Sequence, residues 1–325
     1  MRAPAFWWQT PGLCSTVLAP IGAIYGAVAG SRMRQTGARA DVPVICIGDP
    51  TVGGAGKTPV AIAVAKTLIA QGKRPYFLTR GYGGREQGPL LLDPAKHSAA
   101  DAGDEPLLLA AVAPVVVSAD RVAGAKLAAQ SGADVVVMDD GFQNPALIKN
   151  LSLLVIDAKG GVGNGRVFPA GPLRAPLPEQ LQRANAIVLI GNGEAGEQVA
   201  RDASKVLRAS IVPDADAAAA LKGKSLFAYA GIGRPEKFFA TLESIGGNIT
   251  ERRAFPDHHA FSADEANELL AAARSRNLTL VTTEKDLARM RGNAGLNELA
   301  DASKALPITL RFQDERALDA LLTSV

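Results

Sequence analysis

Residues 48–59 read Gly-Asp-Pro-Thr-Val-Gly-Gly-Ala-Gly-Lys-Thr-Pro, and no other stretch restricts the fold as strongly. A short β-type run, Val42 to Ile47, precedes it, and a helical run, Val60 to Ala70, follows. A glycine-rich turn between strand and helix places backbone N–H groups and the positive end of a helix dipole around an anion. Thr51, Val52, Gly53, Gly54, Ala55, Gly56, Lys57 and Thr58 are the expected cofactor-binding residues. Lys57 is placed to reach the β- and γ-phosphates of a nucleotide, and Thr58 to ligate Mg²⁺. The strict phosphate-loop pattern has glycine where this chain has Thr51, so the loop is a variant.

That loop sits in an alternating chain. Val44–Ile47, Tyr76–Thr79, Val115–Ser118, Val135–Met138, Leu153–Ile156 and Ile187–Ile190 are short aliphatic runs, with alanine-rich helical stretches such as Ala61–Ala70 and Val122–Ala129 between several of them. Unbroken apolar strands alternating with helices predict a parallel sheet covered on both faces, with phosphate sites at the carboxyl ends of the strands. The fold class is therefore α/β: a P-loop NTPase-like parallel core, a smaller C-terminal α/β domain and an apolar N-terminal helix. The expected boundaries are 1–35 for the N-terminal helix, 36–212 for the core, 213–224 for a linker and 225–325 for the C-terminal domain. In the last, Ser262 and Glu265 spell a capping box at a helix start, and strands are expected near Leu278–Thr282 and Ile308–Phe312.

The N-terminus is apolar. No charged residue occurs between Arg2 and Arg32, and both tryptophans of the chain, Trp7 and Trp8, lie there. Paired tryptophans, an apolar helix and trailing arginines suit a membrane interface. Pro20, Gly22 and Gly26 argue against a rigid spanning helix. A secretory signal peptide and a buried core helix are the competing readings. The net charge of +3 gives no argument for nucleic acid. Two cysteines, Cys14 and Cys46, make neither a disulfide framework nor a zinc site, and both read as packing residues.

Several further groups carry chemistry. Asp139 and Asp140 end an apolar strand beside the phosphate loop, where acids bind Mg²⁺ directly or through water. Asp104 and Glu105 form an acidic turn before a helix. There one acid can serve as a base for a substrate hydroxyl and the other can stand near the metal. Asp257-His258-His259 holds two of the three histidines. Adjacent side chains on an extended segment point apart, so one functional histidine is expected, with His258 pairing to an acid; His97 reads as structural. Arg80, Arg121, Gln143, Arg166 and Arg174 are candidates for phosphate or substrate contact, and Lys285 is a weaker one.

Together these stretches resemble the tetraacyldisaccharide 4′-kinase family, the lipid A 4′-kinases of Gram-negative bacteria. Thr51–Pro59, Thr79–Gly84, Gly103–Pro106, Asp139–Gln143, Asn164–Arg174, Asp257–Phe261 and Thr283–Asp286 match in family order. Thr51 in the phosphate loop is shared by that family; Asn144 stands where many relatives carry histidine. The resemblance implies ATP- and Mg²⁺-dependent phosphorylation of the 4′-hydroxyl of a tetraacylated glucosamine disaccharide 1-phosphate. It also implies attachment to the cytoplasmic face of the inner membrane. No nucleic-acid partner is expected, and no obligate protein partner is evident. By motif, Asp104 would be the catalytic base aided by His258, with Lys57 also catalytic, and Glu105 and Asp140 would serve the Mg²⁺ environment. Two other readings are a partitioning-type membrane ATPase and a kinase of a soluble small molecule. The first wants a second lysine before Gly53, where this chain has Val52. A GTP switch is disfavoured by Asp139-Asp140-Gly141 and by the order Thr283-Glu284-Lys285-Asp286.

Overall fold

The computed structural model describes residues 3–325. The strands in chain order are β1 Val44–Gly48, β2 Pro75–Thr79, β3 Leu90–Leu91, β4 Val115–Val117, β5 Val135–Asp139, β6 Leu151–Asp157, β7 Ala186–Ile190, β8 Val206–Pro213, β9 Ser225–Ala230, β10 Asn248–Ala254, β11 Thr279–Thr282, β12 Lys304–Ala305 and β13 Ile308–Phe312. A nine-stranded sheet runs β13-β8-β7-β6-β1-β5-β2-β4-β3, and a four-stranded sheet runs β10-β9-β11-β12. In the large sheet only the edge pairs β13–β8 and β3–β4 are antiparallel.

Buried parallel strands need apolar residues on both faces. In β1, Ile45 and Ile47 enter one core layer, and Val44 and Cys46 enter the other. Since β1, β2, β4, β5, β6 and β7 run the same way, their carboxyl ends share one edge. Asp49, Arg80, Asp139 and Asp157 all stand at or just beyond it.

The C-terminal half departs from expectation in two places. β13, expected in the smaller unit, pairs with β8 from Ile308↔Pro213 to Phe312↔Ala209, and the terminal helix Glu315–Thr323 buries Leu318 and Leu322 in the large core. The chain thus leaves the large sheet at Pro213 and re-enters it at Ile308. The stretch expected as a linker holds a helix, Ala215–Leu221, whose N-cap Asp214 accepts the Ala217 N–H at 2.9 Å. Its alanines favour helix, and Asp214 satisfies a first-turn N–H. The predicted capping box is present: Ser262 and Glu265 cap the helix Ala263–Ser275 reciprocally.

The N-terminal segment forms a short 3₁₀ turn, Ala5–Trp8, and one continuous helix, α1, Leu13–Met33. Its inner stripe is Ser15, Gly22, Gly26, Gly30 and Met33. Gly22 must lack a side chain: a Cβ there would lie 2.8 Å from the Val167 carbonyl oxygen. The opposite face leaves Leu13, Val17, Ile21, Ile24, Tyr25 and Val28 exposed. Pro20 does not break the helix, and helix α1 is long and apolar enough to cross a membrane. Trp7, expected at a membrane interface, is instead buried; its Nε1–H donates to the Pro169 carbonyl at 3.0 Å and its ring meets Phe168 edge-on. Trp8 lies under the Arg234 guanidinium, 4.6 Å from its ring centroid. Cys46 is buried, whereas Cys14 is exposed on α1 and is not a packing residue.

Gly22→Ile should force α1 off the Val167 loop at a cost of about 1–3 kcal/mol. Because Trp7 is seated on Phe168 and Pro169 of the same loop, tryptophan fluorescence should change at lower denaturant than far-ultraviolet circular dichroism. Coincident, unshifted transitions would show that α1 docks by another route.

Candidate active site

The phosphate loop joins β1 to a second helix, α2, Lys57–Ala70. Gly56 caps α2 at φ +99°, in the left-handed region that favours glycine, so the chain turns sharply and Lys57 opens the first turn. The loop's first arm is held by a distant segment. The Val52 N–H donates to the Pro172 carbonyl (2.8 Å), the Arg174 N–H to the Pro50 carbonyl (2.9 Å), and Arg174 Nε to the Thr51 carbonyl (3.0 Å). From beneath, Gln143 Nε2 donates to the Asp49 carbonyl at 2.8 Å and to Gln180 Oε1 at 2.9 Å. The Gln143 amide protons are therefore engaged by protein, and the side chain braces the loop.

Asp49, which sequence reasoning passed over, anchors the site. It is fully buried; Oδ2 accepts from Lys57 Nζ at 2.8 Å, and Oδ1 lies 3.2 Å from Arg174 Nη2. Burial pushes its carboxyl upward, while Lys57 and Arg174 pull it back. Burial alone would depress Lys57, but Asp49 and Asp140 outweigh it and raise the ammonium. Asp140, at φ +54°, sits 3.7 Å from Lys57 Nζ and 3.5 Å from Arg174 Nη2. Those two cations overcome its burial and hold it below the usual carboxylate range.

Asp139 is different. Burial, and then the Glu105 carboxylate, push it up to about 7. Its Oδ1, like Asp140 Oδ1, is buried without a hydrogen-bond partner. These unpartnered carboxylate oxygens and the Thr58 hydroxyl line one cleft, and as hard oxygen donors they fit a cation such as Mg²⁺. Among the described residues no three His, Cys, Asp or Glu side chains converge on a metal. This suits an ion that takes one or two protein oxygens and shares phosphate oxygens.

A cleft of about 2830 Å³ opens between the two sheets, lined by Gly53–Thr58, Arg80, Arg121 and Asp139–Asp140 from the core, and by His258 and Lys285 from the smaller unit. Arg121 is buried; its Nη1 donates to the Ser118 carbonyl, and burial lowers its guanidinium. Arg166 is not brought to the cleft: Nη1 donates to the Ser15 carbonyl at 2.9 Å, fastening α1.

Asp104 opens the helix Asp104–Ala110 and is buried behind the cleft wall. Its Oδ1 lies 3.2 Å from His258 Nδ1, and its Oδ2 accepts from Arg289 Nε at 2.8 Å. Burial would raise this carboxyl, but the His258 hydrogen bond and the Arg289 charge hold it well below the usual range. The same hydrogen bond raises His258 above 6.5. The exposed Tyr82 ring tilts over the imidazole at 5.3 Å. His259 turns away, bonding Glu265 at 3.0 Å and stacking on Phe255 at 4.8 Å. His97 is structural, accepting the Asp93 N–H. Glu105 is engaged by Lys285 Nζ, which outweighs its burial and lowers it. Arg289 was missed; the available signal was its spacing of four from Lys285 on the helix Glu284–Met290, which puts both on one face.

Lys57→Met should reduce phosphoryl transfer at least about 10²–10³-fold. It should also cost about 1–3 kcal/mol, because Asp49 loses a buried partner. Kinetics with saturating nucleotide and urea unfolding check both parts. Full stability would mean that Arg174 alone satisfies Asp49.

Comparisons with known proteins agree with this geometry. Residues 14–325 match the family described as Tetraacyldisaccharide-1-P 4'-kinase. The chain is 54% identical over 331 residues to the Tetraacyldisaccharide 4'-kinase of Xanthobacter autotrophicus, covering 99% of this chain and 96% of that protein. It is 52% identical over 326 residues to that of Bradyrhizobium sp. (strain BTAi1), covering 99% and 94%. The crystal structure of the "apo" form of LpxK from Aquifex aeolicus in complex with ATP superposes with a TM-score of 0.73 at 27% identity, covering 96% of this chain and 99% of that one. The chain belongs to the tetraacyldisaccharide-1-P 4'-kinase family.

Proposed function

We propose that this chain transfers the γ-phosphoryl group of ATP to the 4′-hydroxyl of a tetraacylated glucosamine disaccharide 1-phosphate, a step in lipid A biosynthesis. The observation that carries this reading is one cleft lined by both the Lys57 cradle and His258, in a chain of this family. Family membership favours this over a partitioning ATPase. The deciding assay supplies ATP and the tetraacyl disaccharide in detergent micelles, with an unacylated sugar as control. Equal turnover of the soluble sugar would favour a small-molecule kinase.

Phosphoryl transfer asks a protein mainly for positioning and charge neutralisation. Gly53–Thr58 hold the polyphosphate, and Lys57 lies against its β- and γ-oxygens. Arg80 and Arg121 face the cleft as further cations. Thr58, Asp139 and Asp140 would hold Mg²⁺, which when bound neutralises charge on the β- and γ-phosphates. Glu105, paired to Lys285, stands one step behind. Asp104 does not line the cleft whereas His258 does, so the roles expected of the pair, Asp104 as base and His258 as its aid, are exchanged in this reading. The imidazole meets the sugar hydroxyl and takes its proton, and the buried carboxylate orients the ring and balances the new charge.

The exposed face of α1 suits a membrane surface next to the cleft, where an acylated substrate would reside. This supports attachment to the cytoplasmic face of the inner membrane, where ATP is available. Ile24→Asp with Val28→Asp should move the protein from membrane pellet to supernatant without changing turnover of detergent-dispersed substrate. Unchanged sedimentation would locate the anchor elsewhere.

A pH profile tests the proton acceptor. His258 accepts a proton only when neutral, so kcat/KM should fall as pH drops through its raised value, above 6.5. Asp104→Asn removes the anion that favours imidazolium. The acidic limb should then move to lower pH while the plateau falls about 10²-fold. A limb that stays in place or moves upward would exclude the imidazole as acceptor.

A further inference from the structure

We infer that Arg289 is a positioning residue for phosphoryl transfer, reaching from the smaller unit to hold Asp104 in register with His258. The inference rests on the reading of that pair given above. Arg289 is nearly enclosed, with 9% of its side chain exposed, and it stands between two buried acids. Toward the core, Nε donates to Asp104 Oδ2 at 2.8 Å. Nη2 lies 2.6 Å from the same oxygen without the alignment of a hydrogen bond, so it adds charge rather than direction. Toward its own helix, Nη1 donates to Asp286 Oδ1 at 2.6 Å.

Asp286 is a fixed post. It is fully buried and receives the Gly231 N–H, the Thr282 hydroxyl (3.2 Å) and the Thr283 hydroxyl (2.7 Å). Arg289 also reaches the second member of the pair through backbone. Nη1 donates to the Gly231 carbonyl at 2.9 Å, and the same oxygen accepts the His258 N–H at 3.1 Å. His258 has φ +56°, a conformation uncommon for a residue with a side chain, so its backbone needs such a partner. One guanidinium therefore contacts the carboxylate that orients the imidazole and shares the acceptor that seats the histidine.

Its charge fits this role. Asp104, Asp286 and Arg289 carry a net charge of −1 with His258 neutral, and a proton on His258 brings the four to zero. The other groups facing the imidazole are Asp257, 3.9 Å from Nε2, and the Tyr82 ring, with the Glu105–Lys285 pair beyond. Without Arg289 two buried carboxylates would lose their shared cation, and Asp104 would keep only its Oδ1 contacts, to the Glu105 N–H and the imidazole. The nucleotide cradle does not touch Arg289, so its loss should appear in kcat and not in the KM for ATP.

The experiment is a kinetic cycle on the full-length protein with the tetraacyl disaccharide in micelles, combining Arg289→Gln with Asp104→Asn. Arg289→Gln alone should lower kcat on the order of 10–10²-fold, the scale of a misaligned reacting group. KM for ATP should stay within about twofold. In the double variant the loss should not exceed that of Asp104→Asn alone by more than about twofold, because a residue acting through Asp104 has nothing left to position. Arg289→Lys keeps the charge but not the fork and should recover part of kcat. If Arg289→Gln does not fold, the cycle is run with Arg289→Lys. Multiplicative losses, a loss confined to KM for ATP, or native kcat in both Arg289 variants would overturn the inference. If Asp104→Asn itself keeps native kcat, the reading of the pair fails first, a result distinct from multiplicative losses.

Discussion

The buried carboxylate of Asp49 is the point on which the nucleotide side of this molecule turns. An ionised group removed from water requires partners of opposite charge, and Asp49 has two, Lys57 from the phosphate loop and Arg174 from a segment more than a hundred residues later. Arg174 ends the loop that fastens the N-terminus. Within it the Pro169 carbonyl takes Trp7, Arg166 takes the Ser15 carbonyl, and Val167 packs against Gly22. One loop therefore joins the exposed apolar helix on its outer side to the phosphate cradle on its inner side. A change that loosens α1 acts on a segment whose other end positions Arg174.

The pairing of Asp104 with His258 is assembled across the cleft. Asp104 and Glu105 belong to the large sheet's layer of helices, whereas His258, Lys285 and Arg289 come from the smaller unit. Asp157 at the end of β6 adds pairs to Arg234 and, at 2.6 Å, to Lys237. Partly desolvated ion pairs contribute less to net stability than to fixing which groups face each other. Here that registry sets the imidazole against its carboxylate, and so the site exists only with both units in place. The return of β13 to β8 ties the smaller unit to the core at its entry and its exit.

Much of this was legible because it is local. The phosphate loop, the strands that follow a buried parallel pattern, the acids ending β5 and the capping box at Ser262 all depend on residues close in sequence. What escaped is non-local or weakly patterned. β8 alternates buried and exposed residues near the sheet edge, so it lacks the unbroken apolar run that marks β1 or β6. β13 reads as a strand, but nothing local reveals that its partner lies nearly a hundred residues back. Asp49 looks like part of a glycine-rich turn until Arg174 is placed on it. Arg166 and Arg174 occur in one motif, yet one fastens a helix and the other pairs with Asp49 and Asp140 beside the phosphate loop, a distinction set by which way the loop crosses the sheet edge. Gly22 and Gly26 suggested a weak helix because glycine lowers propensity; tertiary contact with Val167 reverses that preference.

The two acids beside Lys57 are not equivalent. Asp49 lies behind the loop, closed to solvent, at hydrogen-bonding distance from the ammonium. Asp140 lies on the cleft side, farther from both cations, on a backbone turned into the left-handed region. Lys57 and Arg174 are therefore held closely by Asp49 from behind and more loosely by Asp140 from the cleft side. The permanent partner keeps Lys57 charged and aimed while the site is open to water. The cleft-side partner keeps one carboxylate oxygen without a hydrogen bond, as Asp139 does, so this face of the loop presents acid oxygens that the protein itself leaves unsatisfied. Lys57 and Arg174 thus face carboxylate on both sides of the loop, satisfied from behind and loosely paired in front.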